Sequence, residues 1–500
     1  MAFIFGADPN NRFSSKLKHV LQWPLHEIFF YTACLAGTLQ FIIFKWLYPY
    51  ANFVSDDSYA YLKEASSNVD ISFYPIGYSK FLRLFSAFTR SDTALVAFQY
   101  LAVQTACYWF LVTIFEIYQP SKLAKWVIFL FIFFNPTTLY LCNYILSDSL
   151  FLALSITWFT MLLRIVLTPT SRLIYWQSIV LFIAFTIRYN ALYYPFIAGA
   201  TLFFVHIPLQ KKLTSISISL LLICVFVVYT SNQYHRLTGI NQFSPFSGWQ
   251  IANNALYAYR YTDKRHLQRT PLHLQSLDNV VRHYFDTSRN LRTHPYELLV
   301  ASTVYMWDPR SPLYKYMQLQ NMDDTARAHK FKNWASVAPL YAEYGAYLIS
   351  QYPDDYFKHF VVPNVLKYYT PPVEFLGEYN MGSDTIRSLA KDWFRYRSNT
   401  VRSTFKDPTI YILNFMPITA AFLNLFFLLG VISVYWLTKT SGGEAARRVL
   451  LLTLILWAVN FGFSVFASPI TLRYQMFGIV VFSTFALVSI DSIHKIAFSK

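Results

Sequence analysis

The sequence predicts an all-α polytopic membrane protein: a transmembrane bundle of about ten helices with a mostly helical polar domain on its outer side. Three observations carry this. Of 500 residues, 55% are hydrophobic and only 14% are charged, whereas soluble domains carry about 25% charged residues. The apolar residues gather in runs near the roughly 20 residues that cross a bilayer. Aromatic residues reach 19%, as lipid-facing surfaces and interfacial belts require.

The first run, Ile28 to Leu47, follows the basic residues Arg12, Lys16 and Lys18. It is too long for a signal-peptide core and no small-residue cleavage site follows, so it reads as a retained span. Residues 48–92 form the first outer loop. Tyr59, Leu62 and Ala65 recur at helical spacing, as do Phe81, Leu84, Phe85 and Phe88. The Tyr74-Pro75-Ile76-Gly77-Tyr78 turn separates them, which predicts two short amphipathic helices on the membrane surface. Further apolar runs cover Ala94 to Tyr118, Leu123 to Cys142, Ser149 to Val166, a shorter pair at Leu173 to Ile187 and Ala191 to His206, and Leu213 to Thr230. The proline-punctuated segment 232–408 is the one large hydrophilic block. Ile410 to Leu437, Val449 to Phe466 and Leu472 to Ile490 complete the bundle. The chain thus divides into 1–231, 232–408 and 409–500.

The net charge of +16 is not gathered into one patch, which argues against nucleic acid. The basic groups Arg12/Lys16/Lys18, Lys122/Lys125, Arg164/Arg172, Lys211/Lys212, Lys439/Arg447/Arg448 and Lys495/Lys500 fall between apolar runs and on one face of this topology. That face is expected to be cytoplasmic, with both termini on it. Asp56-Asp57, Asp148, Arg188, segment 232–408 and Arg473 then face outward together. The assignment depends on the short pair 173–206, since losing one member would invert everything after it. The four cysteines lie in or beside apolar runs at no metal-ligand spacing, and the outer histidines form no HExxH pattern.

Adjacent carboxylates beside a membrane span have an energetic cost, because desolvation and mutual repulsion both disfavour their charge. Asp56 and Asp57 are either solvated loop acids or a catalytic carboxylate held at the surface. Asp148, in Ser147-Asp148-Ser149, opens a span and also suits a helix N-terminus. Arg188 lies at a span end, where it either snorkels or serves a site. Arg473 follows Ser468-Pro469 and enters the last span, where its planar fork can grip a phosphate.

Asp56-Asp57-Ser58-Tyr59, Tyr74-Pro75-Ile76-Gly77-Tyr78, Asn135-Pro136 with Ser147-Asp148, Arg188-Tyr189-Asn190-Ala191 and Arg473-Tyr474 together resemble the GT-C superfamily of polytopic glycosyltransferases. The likeness is to the branch of the protein O-mannosyltransferases and the lipid A aminoarabinose transferase, over about residues 25–210 and 410–490. It implies a GT-C-like bundle in the inner (plasma) membrane that takes sugar from a polyprenyl-phosphate donor. The acceptor would be an outer-face protein, lipid or glycan. It also implies Asp56 as base, with Asp57 and Asp148 in the catalytic set. Arg473 and Arg188 would hold the donor phosphate, and Tyr59, Tyr74 and Tyr474 would line the acceptor loop. Some relatives carry Lys-Pro-Pro where this chain has Tyr74-Pro75-Ile76, which leaves Lys80 or Arg83 to replace the lysine. No cofactor is called for, and a divalent metal is neither required nor excluded. Asp57 is expected to cap the helix beginning at Ser58 while Asp56 aims inward. Two other classes fit the same outline: a polysaccharide polymerase or ligase with its chemistry in 232–408, and a polytopic transporter.

Overall fold

The computed structural model describes residues 24–263, 269–288, 291–298, 302–320, 330–437, 443–467 and 469–498. Arg12, Lys16, Lys18, Lys439, Ser468 and Lys500 lie outside them. Among the described residues every regular element is helical, and β pairing is limited to isolated bridges such as Asn52 with Tyr144.

In chain order the first part of the bundle is α1 (Pro24–Leu47), α2 (Asp57–Ser67), α3 (Gly77–Ser86), α4 (Asp92–Tyr118), α5 (Lys122–Phe133), α6 (Pro136–Asn143), α7 (Asp148–Leu167), α8 (Ser171–Ile187), α9 (Tyr194–Phe204) and α10 (Leu209–Thr238). Helices of segment 232–408 include α11 (Pro245–Tyr259), α12 (Gln275–Ser288), α13 (Pro312–Gln320), α14 (Ala338–Gln351), α15 (Val362–Tyr369) and α16 (Ser388–Phe394). The last three are α17 (Met416–Leu437), α18 (Glu444–Ala467) and α19 (Leu472–Phe498).

Among the described residues, eight helices are long and apolar enough to cross a membrane: Glu27–Leu47, Asp92–Tyr118, Lys122–Asn143, Asp148–Leu167, Leu209–Thr238, Tyr411–Leu437, Glu444–Ala467 and Leu472–Phe498. The chain is therefore an integral, polytopic α-helical membrane protein. The other two expected spans are the shorter helices α8 and α9, joined by a 3₁₀ turn over Tyr189–Tyr193. At 17 residues, α8 extends about 26 Å, short of the roughly 30 Å hydrocarbon core. The span 122–143 breaks at Asn135, whose side chain caps Thr137 (2.9 Å) ahead of Pro136. Helices α4, α7 and α8 pack in sequence, as do α17 and α19. Large apolar side chains of α1, α10 and α17 point outward, including Leu35, Leu221 and Phe422.

Segment 232–408 is not one unit. Residues 249–368 build a separate aromatic core around Trp249, Trp334, Tyr305 and Tyr341. From 376 onward the chain rejoins the bundle core through Leu376, Tyr379, Ile386, Phe394 and Val401. The returning segment is tied down where Thr404 N–H donates to Leu47 O (2.8 Å) and Val401 N–H to Asp384 O (2.8 Å). At one end of the bundle, Lys495 bonds Gln119 O (2.8 Å) and Asp491 accepts from Ser121 N–H (3.0 Å). The polar domain packs at the other end, with Val465 and Ile470 in its core.

Candidate active site

The site is framed by backbone pairing between the loop after α1 and the end of α6. Asn52 N–H donates to Asn143 O (2.8 Å) and Ile145 N–H to Asn52 O (3.0 Å). The buried carboxylate of Asp92 accepts from Ala51 N–H (2.8 Å) and fixes the same strand of chain. Residues 51–55 therefore run beside 143–147, which brings the starts of α2 and α7 together. Asp57 and Asp148 are the first residues of those helices, where the exposed N–H groups favour negative charge.

Arg473, in the first turn of α19, joins them. Its Nη2 donates to Asp57 Oδ2 (3.0 Å) and to Tyr474 Oη (2.6 Å). Its Nη1 stands 3.8 Å from Asp148 Oδ2, an ion-pair separation too long for a hydrogen bond. Its buried Nε has no acceptor among the described residues. Arg188 caps the C-terminus of α8, and its Nη1 bonds Asp148 Oδ1. The Arg188 guanidinium also lies 4.4 Å over the Tyr474 ring. Tyr74 donates its hydroxyl to Asp57 Oδ1 (2.7 Å). Asp148 is 3% exposed and Arg473 7%, while Asp57 keeps 23% of its side chain open, so the cluster opens at Asp57.

The two adjacent acids exchange the geometry expected of them. Asp56 takes φ 61° and ψ −50°, a conformation disfavoured for a residue with a Cβ. The kink throws its side chain outward, 82% exposed, onto Arg387 Nη2 (2.8 Å), and turns Asp57 inward. Asp56 occupies the cap position of α2 without a side-chain cap bond, and the carboxylate of Asp57 is engaged by Tyr74 and Arg473 instead of capping. Arg387 also stacks 4.4 Å over the Tyr59 ring, and its backbone N–H donates to Tyr59 Oη (3.2 Å). Sequence inspection missed Arg387, which lies more than 300 residues away, in the segment that returns to the bundle.

Lys80 and Arg83 do not reach the cluster. Lys80 bonds Asp70 (2.9 Å) and Asn68 (3.1 Å), and Arg83 bonds Ala65 O (3.1 Å). Both therefore clamp the far end of α2, roughly 12 Å or more along its axis from Asp57, where helix carbonyls lack partners. The same helix buries Glu64 against the hydroxyls of Ser72 and Ser79 (2.7 Å from Ser79). Burial pushes the Glu64 carboxyl up to about 8, against the opposing pull of the Ser79 hydroxyl and the Lys63 charge. Gly77 lets α3 rest on α8: a Cβ there would sit 2.5 Å from Thr186 O, two residues before Arg188.

Among the described residues no His, Cys, Asp and Glu side chains group as metal ligands would. The arrangement can instead bind an oxyanion: a buried arginine with a donor to spare beside a partly open carboxylate. No protein-family model, curated protein or solved structure matches the chain.

Proposed function

We propose that the chain is a GT-C-like membrane glycosyltransferase that moves a sugar from a polyprenyl-phosphate donor to an outer-face acceptor, with inversion at the anomeric carbon. The observation that carries this reading is the incomplete satisfaction of Arg473. It is buried yet leaves Nε unpaired and Nη1 beyond hydrogen-bond range of Asp148, so a phosphate oxygen can occupy donors that the protein leaves open. Arg188 supplies a second cation on the same carboxylate.

A sugar phosphodiester has a good leaving group, so the site needs a base and positive charge rather than a strong acid. Asp57, the carboxylate at the open side of the cluster, takes the proton of the acceptor hydroxyl. The acceptor oxygen bonds to the anomeric carbon as the carbon–phosphate-oxygen bond breaks, and the electron pair leaves with the lipid phosphate on Arg473 and Arg188. One direct displacement gives inversion. Asp148 holds Arg188 and stands 3.8 Å from Arg473, and the exposed Asp56 partners Arg387. The membrane is the inner (plasma) membrane, with this cluster on the extracytoplasmic face and both termini cytoplasmic. Lys122, Lys125, Arg164, Lys211, Arg447 and Lys495 at the opposite ends of the spans support that orientation.

The test uses the purified chain in lipid nanodiscs with a panel of polyprenyl-phosphate sugars, following release of polyprenyl phosphate. Binding of sugar-free polyprenyl phosphate is measured alongside. The parent should release the lipid phosphate, and Arg473→Ala should lose both release and binding. Turnover and binding by Arg473→Ala at parental levels would refute the assignment.

A further inference from the structure

We propose that a cleft in the polar domain, lined by Tyr296, Thr303, Trp307, Asp308 and Arg310, binds a saccharide and presents it as the acceptor. Its role as acceptor rests on the transferase reading above.

The cleft has a preorganised polar edge. Arg310 is 71% exposed, yet its Nε and Nη2 bond the two oxygens of Asp308 (3.1 and 2.8 Å). Its backbone N–H also donates to Asp308 (2.8 Å), and its guanidinium lies 4.8 Å over the Tyr296 ring. An exposed arginine ordinarily spends conformational entropy when it grips a ligand. Here the fork is fixed beforehand, which removes that cost from binding.

The chemistry of the edge selects the occupant. Asp308 and Arg310 neutralise each other, so nothing demands an anion. Together they offer donors and acceptors in one plane, as hydroxyls that both donate and accept require. Trp307 supplies the aromatic wall on which the C–H face of a pyranose can stack. A hydroxylated ring with one apolar face meets all three requirements.

Position then links the cleft to the cluster. Trp307 is braced by the buried Trp334 (centroids 6.5 Å, planes 6° apart). It also lies 6.1 Å from the ring of Tyr74, whose hydroxyl is 2.7 Å from Asp57. A single tyrosine separates the wall of the cleft from the carboxylate.

The experiment applies a glycan array to the full chain in nanodiscs, with Arg310→Ala and Trp307→Ala beside the parent and thermal melts to confirm folding. The parent should retain at least one saccharide class. Each variant should weaken it about tenfold or more, the worth of a lost stacking or forked contact. Arg310→Ala, at an exposed position, keeps the test valid if Trp307→Ala fails to fold. In transfer assays with that saccharide, acceptor KM should rise in Arg310→Ala while donor KM stays near the parental value. Retention of no saccharide by the parent, retention of peptides instead, or equal retention by the variants would overturn the proposal. Cleft-dependent saccharide binding without consumption of any lipid-phosphate donor would overturn the acceptor role and the transferase reading, and leave the saccharide site standing.

Discussion

Two buried arginine–carboxylate clusters, one in the polar domain and one at the end of the bundle, are built from the same residue types and finished differently. In the polar domain Arg260 and Glu297 are 1% and 0% exposed, with Nη1 2.5 Å from Oε2. Tyr305 donates to the same oxygen (2.8 Å) and accepts from Arg260 (2.7 Å), while Tyr284 takes the other oxygen (2.8 Å). Both carboxylate oxygens are therefore engaged. At the bundle end Arg473 shares Asp57 with Tyr74, stops short of Asp148 and leaves Nε unpaired. Removing one partner of a fully buried pair strands the other's charge, so the closed cluster is where loss of an arginine weakens the fold most. The open one keeps capacity for a ligand.

The largest expected effect is at the open cluster. Asp57→Asn keeps size and removes the proposed proton acceptor, and should lower kcat of the proposed transfer by about 10²–10⁴-fold. A smaller loss than in Asp56→Asn would return the chemistry to Asp56. Next comes the closed cluster. Arg260→Ala should destabilise the protein by about 3–5 kcal/mol in denaturant or thermal unfolding, because it strands Glu297 in the core. Arg473→Ala should cost clearly less stability, since Asp148 keeps Arg188 and Asp57 is partly open to water. Equal losses in the two variants would break the distinction.

A third test concerns Glu64, a carboxylate buried against hydroxyls instead of an arginine. Its folded pKa near 8 lies above the roughly 4.3 of an unfolded glutamate, so the fold binds that proton more tightly. Its stabilising contribution is complete below about pH 4 and is lost as pH rises through 8. Glu64→Gln stays neutral throughout, so its melting temperature should fall less than the parent's between pH 5 and 8. Parallel pH profiles would contradict a buried, proton-retaining Glu64. The smallest effect belongs to the exposed Asp56–Arg387 pair. Arg387→Ala should change stability by about 0–1 kcal/mol, as surface ion pairs do. A larger loss would mean that the pair holds the strained turn at Asp56.

Much of this was legible in the sequence because charge at the end of an apolar run is conspicuous. Asp57, Asp148, Arg188 and Arg473 all stand at such ends, and the structure brings them together. The exchange between Asp56 and Asp57 was not legible, since it depends on one positive φ that composition does not encode. Lys80 and Arg83 lie apart from the cluster because α3 faces them onto the C-terminal end of α2. The division of segment 232–408 was hidden because its aromatic and polar composition runs on unchanged where the chain leaves one core and joins another. The short pair α8 and α9 was visible as such, since its apolar runs are brief.

The spread of the cluster along the chain also sets an order of events during synthesis. Arg188 follows Asp148 by 40 residues, so that pair can close soon after it leaves the ribosome. Asp57 must wait for Arg473, 416 residues later. At about 5–20 residues per second that is roughly 20–80 s during which the loop after α1 has its acid but not its arginine. Until α19 is made, Asp57 can have Tyr74 as a partner but not Arg473. Helix α19 thus completes a cluster whose other members are made hundreds of residues earlier.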